Sequence, residues 1–585
     1  MQKAPEKTRF IVFFVLFVSA SLGFSIKVDA ADLPLHSSYY RTYQILDELA
    51  GFGLIELNSA TKPYGRRWIQ QQLESVSSNQ EKMNSLPRRL QQELKLLEED
   101  VALEAGRLPV SKLSVWNNRS HSAAFWPPEY NHSSKGFQAS IRPILGMHIW
   151  NNDVGTVDRR WFGASFHSYM GNYLAVYGSL RDFSHSSDSL LSRPGYLNQQ
   201  PGFVYTQVTD YSDSRGGIVL GTDRYSIALV KDEIGWGDNL NGSNIISGRA
   251  PTFPMVKLHL KPAAWFELNY FHGWLVSNLT DSTRYYLDNL GKKHYRPHKK
   301  FMAANMMTFT PTPRLNLSVG NSVVYAEDQP YPGFFIPIAF YKSNDHSTTK
   351  GLGLENQNSQ LFFNFSSRNI RNLHLFASVY VDEVQWRRFL PDSRDKNPVS
   401  YKLGARLSNL PLQNFSIGGE YTRSNILNYK HSIPALSWAS NSYNLGHYLG
   451  DNAREWYVEM QYKPIRGLDV KVFYLDALKG NEYDYIRRGT FNGKSFTVID
   501  IISNPSPGDV IWTNKTLGLN ITYEVFRNAY AVANIEQSDI RGYEAASEAV
   551  FGEQPMTAQQ ALDRYTPVLF QGNQLTVNLG FSFNF

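Results

Sequence analysis

The last eleven residues of the chain, "LTVNLGFSFNF", alternate without exception between two kinds of side chain. Large apolar side chains occupy one set of positions, namely Leu575, Val577, Leu579, Phe581, Phe583 and Phe585. The residues between them are small or polar. Because successive side chains of a β-strand point to opposite faces, the pattern predicts a strand with one apolar face. Something apolar must cover that face.

The same alternation runs along the chain from about residue 110, in stretches such as "GNYLAVYGSL", "REWYVEMQY" and "KTLGLNITYEVFRN". In the second of these, Trp456 and Val458 alternate with Glu455 and Glu459. Alternation alone is typical both of a soluble sandwich and of a membrane barrel with a polar lumen. The length of the strand units favours the membrane, because a tilted strand needs about 9–11 residues to cross it. We therefore expect lipid to cover the apolar faces.

The N-terminus indicates export. Lys3, Lys7 and Arg9 precede the apolar stretch "FIVFFVLFVSASLGF", and "VDA" offers small residues for cleavage before Ala31. This is the layout of a secretory signal peptide. The alternative is a membrane anchor, for which an apolar core of about 15 residues is short. We predict a signal peptide over residues 1–30.

From about residue 38 to 104 the periodicity is helical instead. One helix is predicted to stop at Gly51, a second to start near Thr61 as its cap, and a third to carry leucines at three- and four-residue steps. Three such helices make a small bundle. The predicted organisation is a signal peptide, a helical segment over residues 31–108 and a β-barrel over residues 109–585.

The predicted fold class is therefore an all-β transmembrane barrel of antiparallel strands with a small N-terminal α-helical bundle. Counting the alternating units gives about 16 to 20 strands, and single-chain bacterial barrels have even numbers. Trp150, Trp161, Tyr177 and Trp274 stand near the ends of such units. Membrane barrels carry aromatic girdles at both interfaces, so we expect these four side chains to point outward there.

Composition and charge argue against several classes of function. The formal net charge is +6 over 585 residues and the cations are scattered, which argues against a nucleic-acid partner. The absence of cysteine excludes disulfides and thiolate catalysis. No hydrolase, phosphate-loop or metal motif occurs, so we expect no enzyme, no cofactor and no metal. The enzymatic alternative is a hydrolase, which requires a serine, a histidine and a carboxylate that converge in the folded chain.

Several segments, in this order, resemble a known family. They are "YYRTYQILDELAGFGLI", "TKPYGRRWIQQQL", "KDEIGWGDNLNGSNIISGRAPTFPMVKL", "GNSVVYAEDQPYPGFFIPIAFYKSNDH" and "LHLFASVYVDEVQW". Together they are similar to the Wzi-like family of capsule assembly outer-membrane proteins. The resemblance implies a barrel of about eighteen strands with a periplasmic helical bundle. It also implies a lectin-like role in which exported capsular polysaccharide is held at the cell surface, and no enzymatic activity.

We accordingly expect an outer-membrane barrel of a Gram-negative bacterium that binds and organises capsular or other surface polysaccharide. The alternative is a porin-type or transporter-type channel, which needs an open lumen. Expected partners are outer-membrane lipid and lipopolysaccharide, the polysaccharide itself, and the barrel assembly machinery through the C-terminal strand.

Sugar recognition combines aromatic faces with planar hydrogen-bonding groups, and cations are added for acidic glycans. The candidate carbohydrate-binding residues lie in three stretches: Trp236, Asp238, Asn239 and Asn241; Trp386, Arg387 and Arg388; and Arg487 and Arg488. The alternative for Trp236 is an anchor to lipid headgroups in an ordinary turn. The alternative for the arginines is a solvated rim that faces anionic groups of the outer leaflet.

Overall fold

The fold is given by a computed structural model. It describes residues 31–111, 113–126, 128–187, 210–344, 356–382, 397–480, 489–491, 494–496, 510–544 and 556–584. The signal peptide predicted for residues 1–30 lies outside the described residues and stays a prediction.

Within the described residues, eighteen antiparallel strands close into a barrel. In chain order, β1 to β18 are Phe137–Asn151, Thr156–Met170, Leu174–His185, Asp210–Gly221, Tyr225–Asp232, Phe253–Ala263, Phe266–Leu275, Lys300–Thr312, Leu315–Tyr325, Gln357–Ser367, Leu373–Val381, Val399–Ser408, Phe415–Ser424, Ala453–Tyr462, Leu468–Gly480, Val510–Phe526, Ala529–Gly542 and Gly572–Phe583. Each strand pairs with its neighbours in the chain, and β18 closes the ring on β1 from Val577↔Asn151 to Phe583↔Leu145. The predicted fold class is confirmed.

The two ends of the barrel differ. One end, the turn end, carries the short connections that follow the even-numbered strands, such as residues 171–173 and 527–528. The other end, the loop end, carries the long connections, such as residues 233–252 and 425–452. Short turns at one end and long loops at the other are typical of outer-membrane barrels.

The strand faces follow the predicted alternation. In β18, Leu575, Leu579 and Phe581 are exposed on the outside, whereas Thr576 and Asn578 are buried inside. In β14 buried and exposed positions alternate over all ten residues, with Trp456, Val458 and Met460 exposed and Glu455, Glu459 and Gln461 buried. The barrel therefore has an apolar outer wall and a polar lumen, the arrangement that a membrane requires.

The expected aromatic girdle is wrong for three of its four members. Trp150, Trp161 and Tyr177 belong to the inward-facing set of their strands, and Phe162, next to Trp161, is the exposed residue. Position at a strand end could not reveal this, because one step along the strand reverses the face. Trp274 does lie on the outward face, where its ring meets that of His272 edge-on.

The N-terminal segment folds into four helices, α1 Tyr40–Phe52, α2 Arg66–Ser77, α3 Gln80–Asn84 and α4 Arg88–Asp100. Residues 31–104, called the helical plug below, share an apolar core that includes Leu46, Ile69 and Leu94. None of the described helices is long and apolar enough to span a membrane. The predicted boundary at residue 108 falls between α4 and the strand Leu113–Asn117.

Two helix ends differ from the prediction. Helix α1 extends to Phe52, and Gly53 in the left-handed conformation (φ 74°) ends it. Thr61 does not cap the second helix but pairs with Trp236 in a two-residue ladder. The carboxylate of Asp32 accepts the N–H groups of Arg67 and Trp68 instead, at 2.8 and 3.0 Å. A cap supplied from more than thirty residues upstream leaves no local sequence signal.

The remaining described elements are short. The strands Leu113–Asn117, His121–Trp126 and Pro128–Ser134 form a meander beside β1, and α5 (Ala558–Tyr565) lies in the last long connection. Two-stranded ladders are Thr61–Lys62 with Gly235–Trp236, Thr280–Leu287 with Lys293–Pro297, Ala439–Ser440 with Tyr443–Asn444, and Gly489–Phe491 with Lys494–Phe496. Single 3-10 turns span Pro332–Phe335, Pro434–Leu436 and Val568–Phe570.

The helical plug is fixed to the turn end of the barrel by polar contacts. Arg368 in the turn after β10 donates to Asp47 at 2.6 Å, and Arg142 of β1 donates to Asp100 at 2.6 Å. Tyr39 donates to the carbonyl of Asn584, after the last strand, at 2.8 Å. The plug therefore touches turns from opposite sides of the ring.

Replacing an outward-facing leucine by a cation tests the orientation of the wall. Leu579 is 57 % exposed near the middle of β18. We expect Leu579→Arg to lower the free energy of unfolding in lipid vesicles by about 2–4 kcal/mol, because the cation would enter hydrocarbon. Leu579→Phe is the control and keeps the wild-type value within about 1 kcal/mol. Equal stability of the Arg variant and the wild type would contradict a lipid-facing wall.

Glu48 of α1 gives the attachment of the plug a pH dependence. Burial alone raises the pKa of Glu48, but Lys463 and Arg89, both ion-paired with it, outweigh burial and lower the pKa to about 2. The stability that Glu48 contributes is thus present above its unfolded-state pKa of 4.5 and is lost as the pH falls toward 2. A pKa difference of this size corresponds to about 3 kcal/mol.

We therefore expect the wild type to exceed Glu48→Gln in free energy of unfolding at pH 7, and the difference to shrink between pH 4.5 and pH 2. Urea unfolding in detergent micelles at several pH values measures it. Glu81→Gln, at an exposed position of α3, is the matched control without an ion pair to the barrel wall. A difference that stays constant over that pH range would contradict the assignment.

Candidate functional site

The connection between β5 and β6 folds into the lumen instead of away from it. Residues 233–252, called the inner loop below, reach the helical plug, where Gly235 and Trp236 pair with Lys62 and Thr61. Gly237 takes a positive φ of 98°, and a side chain there would meet the hydroxyl of Ser243 at 2.5 Å. The glycines of "GWGDNLNG" thus permit the sharp path that brings loop and plug together.

Trp236 is the first of the predicted carbohydrate-binding residues. Its ring is 2 % exposed and lies at 5.2 Å from Phe271 and 5.7 Å from Phe362, both of which point into the lumen. The interpretation as a headgroup anchor is wrong, because the ring packs inside the barrel. Its role in carbohydrate binding stays a prediction, and the packed ring presents almost none of its surface.

Asp238 and Asn239 hold the inner loop in place. The N–H of Asp238 donates to Asn364 at 3.0 Å, and its carboxylate accepts the Asn364 amide at 2.8 Å. The Asn239 side chain bonds its own turn, donating to Gly237 and accepting from Gly242. Such short polar side chains stabilise turns in this way.

Asn241 and Leu240 lie over a buried group of charges. Their N–H groups donate to the carboxylate of Glu420 at 3.0 and 2.6 Å, and the Asn241 amide donates to Glu455 at 3.1 Å. Lys402 forms an ion pair with Glu420, and both side chains are fully buried. These charged side chains, which belong to the three neighbouring strands β12 to β14, hold the inner loop against the lumen wall.

The long connection after β13 covers the cluster from the loop end. Tyr448 donates to Glu455, and the His447 ring lies 3.5 Å from the same carboxylate. Burial lowers the pKa of His447 to about 4, although Glu455 opposes that shift. Trp438, fully buried, donates to the carbonyl of Ile245 in the inner loop at 3.0 Å. The inner loop is therefore held from above as well as below.

Two internal cavities border the inner loop. One of about 140 Å³ is lined by Asp238 and Asn239 together with Asp47, Lys62 and Arg406. Its walls are charged, and these charges neutralise one another across the boundary between plug and barrel. A larger cavity of about 360 Å³ opens between plug and wall near the turn end. Its lining combines aromatic and polar side chains, among them Tyr64, Trp68, Lys257, His259, Glu267 and Asn269.

A serine, a histidine and a carboxylate do meet beside the smaller cavity. Ser366 Oγ lies 2.9 Å from His374 Nε2, and Asp47 lies 4.0 Å from His374 Nδ1. The second distance is too long for a hydrogen bond. Arg368, which can only donate, lies 3.2 Å from Nδ1, so we assign the ring proton to Nε2. A protonated Nε2 donates to Ser366 and cannot act as its base, unlike the histidine of a catalytic triad.

The other predicted binding residues, Trp386, Arg387, Arg388, Arg487 and Arg488, lie outside the described residues. The strands before them, β11 and β15, both end at the loop end. Among the described residues, no group of three or more acidic, histidine or cysteine side chains is arranged to hold a metal ion.

Sequence reasoning missed two features of this end of the barrel. One is the charge cluster of Lys402, Glu420 and Glu455, whose signal was a charged residue at an inward position in each of three successive strands. The other is the exposed hairpin of Thr280–Leu287 and Lys293–Pro297. Its signal is the dense mixture of tyrosines and cations in "TRYYLDNLGKKHYRPHKK".

Known structures share this fold. Wzi of Escherichia coli, an outer-membrane protein involved in group 1 capsule assembly and described as a carbohydrate-binding β-barrel, is 9 % identical with a TM-score of 0.53. The alignment covers 95 % of this chain and 99 % of that one. At this identity the likeness shows the fold alone.

More distant barrels are also similar. OprD of Pseudomonas aeruginosa is 11 % identical with a TM-score of 0.38, over 76 % of this chain and 94 % of that one. OccAB2 of Acinetobacter baumannii is 9 % identical with a TM-score of 0.41, over 76 % and 98 %. Likeness this low carries no argument about function. Among curated proteins, none matches this chain in sequence.

The family comparison is more specific. Residues 220–549, more than half of the chain, match the family described as capsule assembly protein Wzi. The match includes the inner loop, the strands that clamp it and the connection that covers it. This chain therefore belongs to the Wzi family of capsule assembly proteins.

Proposed function

We propose that this protein binds exported capsular or other surface polysaccharide and organises it at the surface of a Gram-negative outer membrane. Membership of the capsule assembly family supports this role, as does the fold shared with a carbohydrate-binding barrel. The proposed role is one of binding, and the serine–histidine contact in the lumen, with the ring proton assigned to Nε2, does not support a hydrolase of the catalytic-triad type.

The observation that carries the proposal is the filled lumen. The helical plug enters from the turn end, the inner loop enters from the loop end, and the two pair through Thr61 and Trp236. Buried contacts hold the inner loop to the walls at Asn364 and Glu420. A porin or transporter needs a water-filled path, so this occupancy favours a binding protein over the alternative of a channel.

The proposed orientation follows from the two ends. Short turns of bacterial barrels face the periplasm and long loops face the outside. The helical plug then lies on the periplasmic side and the loop end faces the polysaccharide. The outer wall contacts membrane lipid, and the C-terminal strand β18 is the element through which we expect the barrel assembly machinery to engage the chain.

We propose that the glycan is contacted at the loop end. Trp386, Arg387, Arg388, Arg487 and Arg488 supply an aromatic ring and four cations, the combination that suits an acidic polysaccharide. Asn239 and Asn241 stay candidates as well, and their observed contacts hold the inner loop that closes the lumen.

Deleting the gene tests the role in the cell. We expect the mutant to release surface polysaccharide into the medium and the wild-type gene to restore its retention. Complementation with Arg387→Ala/Arg388→Ala should restore less, because two cations that face the glycan are lost. Arg160→Ala/Arg541→Ala is the matched control, with two exposed arginines removed from strand ends at the same end of the barrel. Unchanged retention in the deletion mutant would contradict the proposal.

Conductance in a planar bilayer tests the closed lumen. We expect the wild type to be silent and Glu420→Gln to show channel openings, because the inner loop loses the charge that its two N–H groups bind. The control is Glu536→Gln, which neutralises a lumen-facing carboxylate of β17 on another part of the wall. Steady wild-type channels would favour the porin alternative instead.

A further inference from the structure

A second connection folds onto the outside of the barrel. Residues 331–341, called the outer strap below, follow β9 and lie against the outward faces of β7 to β9. The hydroxyl of Tyr270 donates to the carbonyl of Phe334 at 2.8 Å, and the N–H of Tyr331 donates to the hydroxyl of Tyr325 at 3.1 Å. The strap shares an apolar cluster with this part of the wall.

Beneath the outer strap lies a polar pair that hydrocarbon could not tolerate. Asn305 and Asn321 are cross-strand neighbours on the outward face, and they are 0 % and 4 % exposed. The Asn305 amide donates to the carbonyls of Pro337 and Ala339 at 2.9 and 3.0 Å, and Asn321 accepts the N–H of Tyr341 at 2.8 Å. Because an amide without a hydrogen-bond partner is strongly disfavoured in hydrocarbon, these bonds keep the strap docked on the wall.

The outer strap turns an apolar surface away from the barrel. Phe335, Ile336, Ile338 and Phe340 are 40, 54, 68 and 53 % exposed, within six consecutive positions. The ring of Phe335 also stacks on His272 of the wall at 4.3 Å. The strap covers the half of β8 and β9 nearest the loop end, so its apolar side chains face the outer leaflet in the proposed orientation.

A cationic hairpin stands next to the outer strap. Residues 280–299, called the basic hairpin below, contain Arg284, Lys292, Lys293, Arg296 and Lys299 against two aspartates. All five cations are exposed. Arg284 forms an ion pair with Asp328, just before the strap, and Lys299 donates to the carbonyl of Asp328 at 2.6 Å. The hairpin is thereby tied to the start of the strap at the loop end.

We propose that the outer strap and the basic hairpin together form a docking site for a phosphorylated, multiply acylated glycolipid of the outer leaflet. Acyl chains lie along Phe335, Ile338 and Phe340, and phosphate groups meet Lys292 and Lys293. The argument is charge complementarity beside an exposed apolar surface, because five exposed cations belong to the hairpin that is tied to the start of the strap. This combination fits an anionic lipid and neither a neutral lipid nor a soluble anion. Such a site goes beyond polysaccharide binding, because it selects an anionic lipid at one position on the outer wall.

The test measures binding of bisphosphorylated lipid A to the full-length, folded protein in neutral detergent by native mass spectrometry. The comparison ligands are the same lipid with both phosphates removed, and inorganic phosphate. We expect lipid A to bind, the phosphate-free lipid to bind at least about tenfold more weakly, and inorganic phosphate not to compete. Each cation near an anionic lipid surface contributes about 1 kcal/mol, so two of them give about tenfold or more.

Lys292→Ala/Lys293→Ala tests the hairpin. We expect it to bind lipid A at least about tenfold more weakly, whereas Arg160→Ala/Arg541→Ala, which removes two exposed arginines elsewhere at the loop end, binds as the wild type does. Heat-modified migration on gels checks that each variant is folded. Wild-type binding by the lysine variant, or equal losses in both variants, would overturn the proposal.

Ile338→Asn tests the strap, with Leu517→Asn on a distant part of the outer wall as its control. We expect weaker lipid A binding in the first variant alone. Equal binding of lipid A and its phosphate-free form to the wild type would overturn the site, and so would a second protein copy that occupies the strap in place of lipid. We expect cells that carry Lys292→Ala/Lys293→Ala to retain polysaccharide as the wild type does. A failure of the lipid site can therefore be told apart from a failure of the proposed function.

Discussion

The structure depends on one constraint, that no backbone or side-chain polar group can face hydrocarbon without a partner. Closure of β18 on β1 satisfies the backbone of the whole ring, because no strand edge remains. The alternation along each strand then places apolar side chains outside and polar ones inside. At Asn305 and Asn321, which face outward, the outer strap covers the two amides and supplies their hydrogen-bond partners. Lipid and the outer strap thus both cover the outer wall, each on a different part of it.

The polar lumen that results must itself be satisfied. Charged side chains point inward from neighbouring strands, and they are paired with one another, with the inner loop or with the helical plug. Removing one partner of such a buried pair leaves a charge without compensation, which costs about 3–5 kcal/mol. The plug and the inner loop therefore supply partners for the charges of the lumen wall, and they also close the lumen. The long connections at the loop end are left as the surface for the proposed contact with polysaccharide.

Much of the candidate site could not be predicted from the sequence, and the reason is physical. Trp236, Asp238, Asn239 and Asn241 were identified as an aromatic and polar turn, and the structure uses them as contacts inside the lumen. Their partners Asn364, Glu420 and Glu455 are more than a hundred residues away, and only the closure of the ring brings them together. The inward orientation of the Trp161 side chain was not predicted, because successive residues of a strand point to opposite faces. The cap at Asp32 was not predicted, because Asp32 lies in a segment remote from the helix that it caps.

The sequence by itself determined the barrel, its apolar outer wall and its polar lumen, because a period of two and a unit length that suits a membrane crossing are both local properties of each strand. It also determined the helical nature of residues 40–100 and the family resemblance. Only the tertiary structure decided that the inner loop turns into the lumen while the outer strap turns onto the wall. Both paths are set by hydrogen bonds to distant strands, Glu420 for one and Asn305 for the other, and no local pattern records them.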